Sequence, residues 1–349
     1  MQMETPKGST QSKRATPTLD DVAREANVST ATVSRCLNNP SQVVEKTRLR
    51  VTKAIKKLEY TPNFGARVMA AKRTKTIGAV IPTLENSIFA QGLQAFQDTL
   101  HTLGYTLLVA SSSYNSKIEK DQIHSLVSRG ADGLLLIGHD RENSLLNYLK
   151  TRKIPTLVAW AHDPSATLPS AGFDNFVAMR KLAEIVLKLG HREIGIISAP
   201  IASNDRARAR VLAIQSAIAK RGLKWDAKRL IETEYGVETG SIAFEKLIGI
   251  DKSLTAVFCG NDVLAVGAIK RALSLGIKVP DDVSITGFDD IELGRVILPE
   301  LTTVKVPHKQ MGVNAASTLV KMIEGEKMHA LAPLETKIEF RNSLSRAKH

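Results

Sequence analysis

The sequence predicts a small all-α module followed by a two-lobed α/β body, and three observations carry that prediction. The first is charge. Residues 1–75 hold 15 Lys and Arg against 6 Asp and Glu, whereas the rest hold 33 against 29, so most of the net +13 of this 349-residue chain sits in its first fifth. The second is period: apolar residues between 18 and 60 recur at helical spacing. The third is a change at Thr76, after which short apolar runs alternate with longer helical ones in two successive series.

Composition narrows the class. At 43% hydrophobic residues the chain can bury a full core. Cys36 and Cys259 lie far apart and join no CxxC or Cys/His cluster, which argues against a disulfide framework or a metal site. No apolar run reaches the roughly 18 residues of a membrane span. The opening "MQMETPKGSTQSKRATP" offers no apolar segment for a signal peptide, so a cytoplasmic location is expected.

Residues 1–17 read as a solvated, disordered basic tail. Thr18 is placed to cap a helix from Leu19, with Asp21 in its first turn and Leu19, Val22, Ala23 and Ala26 on its inner face. "NVS" is a short turn. Ser29 caps a second helix with Val33 and Leu37 inward, and two short helices so joined form a helix-turn-helix over residues 18–61. A third helix, "EKTRLRVTKAIKKLEY", offers Leu49, Ile55 and Leu58 as core contacts and a basic periphery. The second helix exposes Thr30, Ala31, Ser34 and Arg35. Small residues let a helix lie deep in a DNA major groove, hydroxyls meet phosphates or bases, and a guanidinium forks onto a guanine edge.

The stretch "TLDDVAREANVSTATVSRCLNNPSQVVEKTRLRVTKAIKKLEYTPN" resembles, without a gap, the headpiece of the LacI-type (lactose/purine repressor) family of bacterial transcription regulators. The resemblance implies that Thr30, Ala31 and Arg35 read bases, while Ser29, Thr32, Ser34 and Asn38 contact or flank the phosphate backbone and Thr18 lies at the DNA-facing edge. Thr30 and Ala31 are small where some members carry large polar residues, so the operator preference does not transfer from a relative. For residues 62–75 it implies a hinge. Asn63 would cap a helix from Phe64 to about Ala71, barely two turns and marginal alone, that folds on DNA with Met69 and Ala70 at a minor-groove wedge. Core packing is the ordinary role of a lone Met. The flanking Arg67, Lys72, Arg73 and Lys75 favour DNA.

The body reads as buried strands followed by crossover helices: "TIGAVIP", "YTLLVAS", "DGLLLIG" and "IPTLVAW" in the first series, "EIGIISAP", "LIETEY", "TAVFCGND" and "DVSITGFDD" in the second. Two such sheets in series give two lobes, and small molecules bind in the cleft outside their C-terminal strand ends. "GFDN", "GHREIGIIS", "TAVFCGND", "DVSITGFDD" and "LTTVKVP" match landmarks of the same family, whose effector domain resembles periplasmic sugar-binding proteins. The likeness runs from about Thr18 to Ser343. It implies a first lobe of about 76–174 plus 307–334 and a second of about 175–306 plus 335–345.

The same resemblance implies effector contacts from Asp174, Arg210, Asn261 and Asp289, an aromatic stacking partner in Tyr235, and Ile88 and Phe89 at the cleft mouth. Asp262 is expected to cap the helix that follows it. In "DRARAR", Arg206 lies four residues before Arg210 and shares its helix face. Two cations there would suit a sugar acid or phosphorylated sugar; a solvated charge run is the commoner role of such a stretch.

No GxGxxG opens either lobe. GxxxxGK[ST], HExxH and G-x-S-x-G are absent, so an enzyme, with a cofactor or without, is not expected. The expected function is an operator-binding repressor governed by a small-molecule effector, a sugar or sugar acid, with double-stranded palindromic DNA as partner. A regulator controlled by a protein co-regulator, and a sugar-binding protein without a DNA role, are the alternatives. No leucine heptads follow "IEFRNS", so the expected assembly is a homodimer.

Overall fold

The computed structural model describes residues 16–61, 73–85, 87–327 and 331–348. The expected tail up to residue 15, the hinge helix with Asn63, Met69 and Ala70, and the side chain of Asn38 lie outside the described residues. The chain forms two compact units, residues 1–74 and 75–349.

The first unit holds α1 (Leu19–Ala26), α2 (Thr30–Asn38), a 3-10 turn at Pro40–Gln42 and α3 (Glu45–Leu58). Thr18 and Asp21 form a reciprocal capping box at the start of α1, which satisfies two of its orphan donors. Asn27 and Glu59 adopt left-handed φ values that end α1 and α3. Val22, Ala23, Ala26, Val33, Val51, Ala54 and Tyr60 form a small core, with Leu19, Val28, Leu37, Ile55 and Leu58 packed around it. Leu49 does not join them and is 62% exposed. The inner stripe of α3 runs through 51, 54, 55 and 58, and Leu49 lies on the opposite side of that helix.

The second unit contains two sheets. The first has order β2-β1-β3-β4-β5 and is parallel throughout: β1 (Thr76–Ile81), β2 (Thr106–Ser111), β3 (Gly133–Ile137), β4 (Thr156–Ala159) and β5 (Ser170–Ala171). Its crossovers are α4 (Ser87–Thr102), α5 (Ser116–Ser128) and α6 (Asn143–Thr151). The second has order β11-β10-β9-β8-β6-β7. It comprises β6 (Ile194–Ser198), β7 (Leu230–Glu232), β8 (Ala256–Cys259), β9 (Ser284–Asp289), β10 (Thr302–Lys305) and an antiparallel edge, β11 (Lys337–Glu339). Its helices are α7 (Asn175–Lys188), α8 (Asp205–Lys220), α9 (Val237–Ile250), α10 (Asp262–Ser274) and α11 (Leu293–Val296). After β10 the chain returns to the first sheet as α12 (His308–Glu324), which packs on α4, and then goes back as β11.

β1, β3, β4, β6, β8 and β9 are buried along their whole length. That is what a parallel sheet with helices on both faces requires, and it explains their continuous apolar runs. Because the strands are parallel, their C-terminal ends line up. Ser198, the Gly260–Asn261 turn and Asp289 therefore emerge side by side.

Candidate functional site

In the first unit α2 carries the candidate contact surface. Ser29 caps it, accepting from the amide of Thr32 at 3.2 Å, and its hydroxyl lies 2.9 Å from that of Thr32. Ala31 and Arg35 are exposed; Thr30, Thr32 and Ser34 are half-buried. Val33 turns inward. The outward face of α2 is thus a methyl, three hydroxyls and one guanidinium, without a bulky apolar group. Thr18 is exposed, but its hydroxyl is engaged by Asp21, whose carboxyl is held below the usual range chiefly by those Thr18 hydrogen bonds.

In the second unit a cavity of about 660 Å³ lies between the lobes. Thr83, Glu85, Ser113 and Tyr114 line it from the first lobe, and Asn204, Glu234, Tyr235 and Val263 from the second. A smaller cavity of about 250 Å³ adjoins it, bounded by Tyr114, Glu119, Asp140, Asp205 and Arg206. The rings of Tyr114 and Tyr235, one from each lobe, meet at 5.7 Å between centroids. Burial raises the pKa of both phenols.

Beside these cavities lies a buried polar cluster. Arg210, on the inner face of α8, donates to Asn175 Oδ1 at 2.9 Å and to the Gly260 carbonyl at 2.6 Å. Its guanidinium lies 3.7 Å above the Phe288 ring and 3.9 Å from Asp289 Oδ1. Asn175 is fixed in turn by donating to the Trp160 carbonyl. Asp289 is 1% exposed, and neither carboxylate oxygen accepts a hydrogen bond from a described residue. Burial pushes its pKa up to about 7 against the opposing pull of Arg210 and Arg206. The Asn261 Nδ2 and the hydroxyl of Ser198 are likewise buried and unpartnered among the described residues. Buried polar groups left open in this way are what a polar ligand satisfies.

The structure brings Arg210, Asn261 and Asp289 together and sets Arg206 and Tyr235 on the cavity walls. It does not gather all the expected residues. Ile88 and Phe89 are 8% and 2% exposed and belong to the first lobe's core, where Phe89 packs edge-on against Trp160 at 5.2 Å. They face that core because α4 must bury an apolar stripe against its sheet, so they are not at the mouth. Asp174 caps α7 through the Val177 amide, and its neighbour Asn175 reaches the arginine instead. Asn261, not Asp262, caps α10. Asp262 points back to accept from the Ile291 amide at 2.8 Å and the Thr303 hydroxyl at 2.5 Å. Burial, then the Asp289 charge, hold its pKa well above the carboxylate range. Arg206 is paired with Asp205 at 3.1 Å, so its charge is balanced. Tyr114, Asn175 and Asp205 carried no sequence signal of their own.

Among the described residues no group of three or more His, Cys, Asp and Glu could hold a metal, and no helix is long and apolar enough to cross a membrane. His191 is held between Thr255 and the Ser345 carbonyl, both at 3.0 Å, as a structural tie.

Comparison with known proteins gives two family matches: bacterial regulatory proteins of the lacI family over residues 18–63, and a periplasmic binding protein-like domain over residues 183–344. Catabolite control protein A of Priestia megaterium is 31% identical over 327 residues, 93% of this chain and 98% of that protein. The transcriptional repressor CytR of Escherichia coli K12 is 32% identical over 310 residues, covering 88% of this chain and 90% of that one. Among solved structures, the Lac repressor dimer bound to operator and the anti-inducer ONPF superposes with a TM-score of 0.85 at 25% identity, covering 94% of this chain and 99% of the other. A complex of the regulator CelR with cellobiose gives 0.70 at 27% identity over 94% and 99% of the two chains.

Proposed function

The chain belongs to the lacI family of bacterial regulatory proteins, as a DNA-binding transcriptional repressor with a ligand-binding domain, and from that premise we propose that a polyhydroxylated effector, a sugar or sugar acid, binds between the lobes and sets operator affinity. One observation carries this reading: the unpartnered, buried carboxylate of Asp289 opposite Arg210 at the ends of the second lobe's strands. A carboxylate accepts from vicinal hydroxyls, Arg210 and Asn261 donate, and Tyr235 covers the apolar side of a ring. The CelR–cellobiose complex supports a sugar as the class of effector. A sugar acid suits the site if Arg206 exchanges Asp205 for the ligand.

On DNA, Thr30, Ala31 and Arg35 are the base-reading residues in this proposal, and Ser29, Thr32, Ser34 and Asn38 the backbone contacts. The hinge, with Asn63, Met69 and Ala70, inserts in the minor groove. The protein works in the cytoplasm as a homodimer on a palindromic operator, each headpiece reading one half-site. The exposed apolar side chains Leu108 and Val109 on the edge strand β2, with Val296 and Leu298 in the second lobe, are surface for a second copy. Effector and operator affinities are linked, with a coupling of about 1–3 kcal/mol.

The test is selection of genomic fragments by the purified protein, with and without a cell metabolite extract. Palindromic sites beside one catabolic gene cluster, released or tightened by the extract, are expected. Binding that ignores the extract and responds only to a protein fraction would replace this reading with control by a co-regulator protein.

A further inference from the structure

Near Arg210, Asn261 and Asp289, a set of contacts that does not use these three residues joins the lobes. Asp205, the first residue of α8 in the second lobe, accepts from the backbone amide of His139 in the first lobe at 2.6 Å through Oδ2. Its Oδ1 holds Arg206 at 3.1 Å. Gly138 leaves the room that both occupy: a Cβ there would collide with the Arg206 guanidinium and the Asp205 carboxylate. One turn further along, Arg208 Nη2 meets Asp140 Oδ1 at 2.5 Å, and Arg208 Nη1 is anchored on the Ile201 carbonyl at 2.7 Å. The receiving turn is braced from its own side. Arg141, 1% exposed, donates to Glu119 at 2.7 Å and to the carbonyls of Ile137 and Gly138.

Each side of this contact is therefore also held within its own lobe, and the two meet through a hydrogen bond and an ion pair. The groups behind it are sealed: Arg210, Asn261 and Asp289 are each at most 4% exposed. With the lobes so joined, the Asp289 carboxylate is covered.

We propose that the 205–208 segment and the 138–140 turn form a clasp that gates the effector cleft, so that a ligand reaches Asp289 only when the clasp opens. The clasp rests on the reading of the cleft as the effector site. It adds that access is governed by the Asp205–His139 and Arg208–Asp140 bonds, whose members are not among the proposed ligand contacts. Its two halves differ in strength. The Arg208–Asp140 pair is about one-third exposed on each side and is worth little in salt water. The Asp205 bond is a charge-assisted hydrogen bond with its carboxylate 17% exposed, and it is the stronger half.

The test needs neither operator nor effector. The full-length protein is labelled with carbodiimide and glycine ethyl ester in buffer without added metabolite, and modification at Asp289 is followed by site-resolved mass spectrometry. Asp281, 60% exposed, is the internal reference. Wild type is expected to label slowly at Asp289. Asp205→Ala should speed that labelling about tenfold and Arg208→Ala about two- to threefold. Asp205→Asn, which keeps an acceptor oxygen, should fall between wild type and Asp205→Ala. Asp140→Arg combined with Arg208→Asp should restore the slow rate that either change alone loses. Hydrogen exchange in β1, β3, β6 and β8 checks that the lobes stay folded. Labelling at Asp289 that is as fast as at Asp281 in wild type, or unchanged in every variant, overturns the clasp. Operator selection can still succeed in that case, so the two failures are separate.

Discussion

Arg210 and Asp289 approach to 3.9 Å in the second lobe, yet the arginine donates its hydrogen bonds elsewhere, to Asn175 and Gly260. The carboxylate thus gains attraction without a bond, and burial lifts its pKa to about 7. A carboxyl whose folded pKa exceeds its unfolded value favours the folded state while protonated. Stability from this group is therefore full below about pH 4 and falls as pH rises towards 7. Asp289→Asn removes that loss and leaves Arg210 its other partners. The variant should be more stable than wild type at pH 8, on the order of 1–2 kcal/mol, with the difference vanishing near pH 4. Urea unfolding at both pH values checks this. Equal stability at pH 8 would mean that the carboxylate is already satisfied.

His308 works in the opposite direction. It opens α12 where the chain returns to the first lobe, and its Nε2 lies 3.1 Å from the carbonyl of Asp289. Burial lowers its pKa to about 4. The groups facing it are Trp160 in the first lobe and Asp289, Arg210 and Asp290 in the second. A base that is neutral in the fold but protonates when unfolded costs stability as pH falls from about 6.5 to 4. His308→Gln should flatten the acid limb of the stability profile over that window and leave the profile above pH 7 parallel to wild type. An unchanged acid limb would assign it to the half-buried His139 and the buried His191, whose pKa values burial also lowers.

Arg35 is the one cation on the exposed face of α2, and a forked guanidinium discriminates a base pair by about 1–3 kcal/mol. Arg35→Ala should weaken binding to the selected operator by roughly 10- to 100-fold and relax preference at one base position. Lys53→Ala, on the basic side of α3, should weaken all sequences alike and reduce the salt slope by about one. Titrations of operator and scrambled duplexes at two salt concentrations separate these outcomes. A loss of equal size on both duplexes with Arg35→Ala would make that residue a phosphate contact.

Much of the fold was legible because local pattern and tertiary need agree. β1, β3 and β6 are continuous apolar runs, and both faces of each are buried. The capping residues Thr18 and Ser29 announce their helices. Leu49 was misread because helical spacing fixes which residues share a face but not which face is inner. Of the candidate site, Asn261 and Asp289 were legible at strand ends, where parallel order brings them together, whereas Arg210 and Tyr235 came from the family resemblance and Arg206 from its helical spacing to Arg210. Tyr114 and Asp205 depend on how two lobes meet, across 121 and 66 residues of chain to Tyr235 and His139, and no local pattern records that. Asp174, expected at the effector, caps its helix instead, and Asp262, expected as a cap, leaves that role to Asn261, for a related reason. A short carboxylate next to a helix start has two possible partners, and packing decides between them.

Asp262 shows what such a decision does. Its two oxygens hold the Ile291 amide and the Thr303 hydroxyl, and Gly287 leaves the room in which its carboxyl sits. Between those anchors, Asp289 and Asp290 take φ values of +113° and +57°, backbone that persists only where the surroundings impose it. Asp262 is thus what keeps the end of β9 turned so that Asp289 stands beside Arg210. Because burial raises its pKa, the neutral carboxyl is the form the interior favours, and an amide copies that form. Asp262→Asn should keep both bonds, with Oδ1 accepting from Ile291 and Nδ2 donating to Thr303, and change stability by less than about 1 kcal/mol. Asp262→Ala leaves a buried amide unpaired and should cost about 2–3 kcal/mol, and also speed carbodiimide labelling at Asp289 as the turn loosens. A fully charged Asp262 in the fold would abolish the ranking, with the Asn variant falling as far as the Ala variant. Chemical denaturation of the three proteins at pH 7 decides between the two.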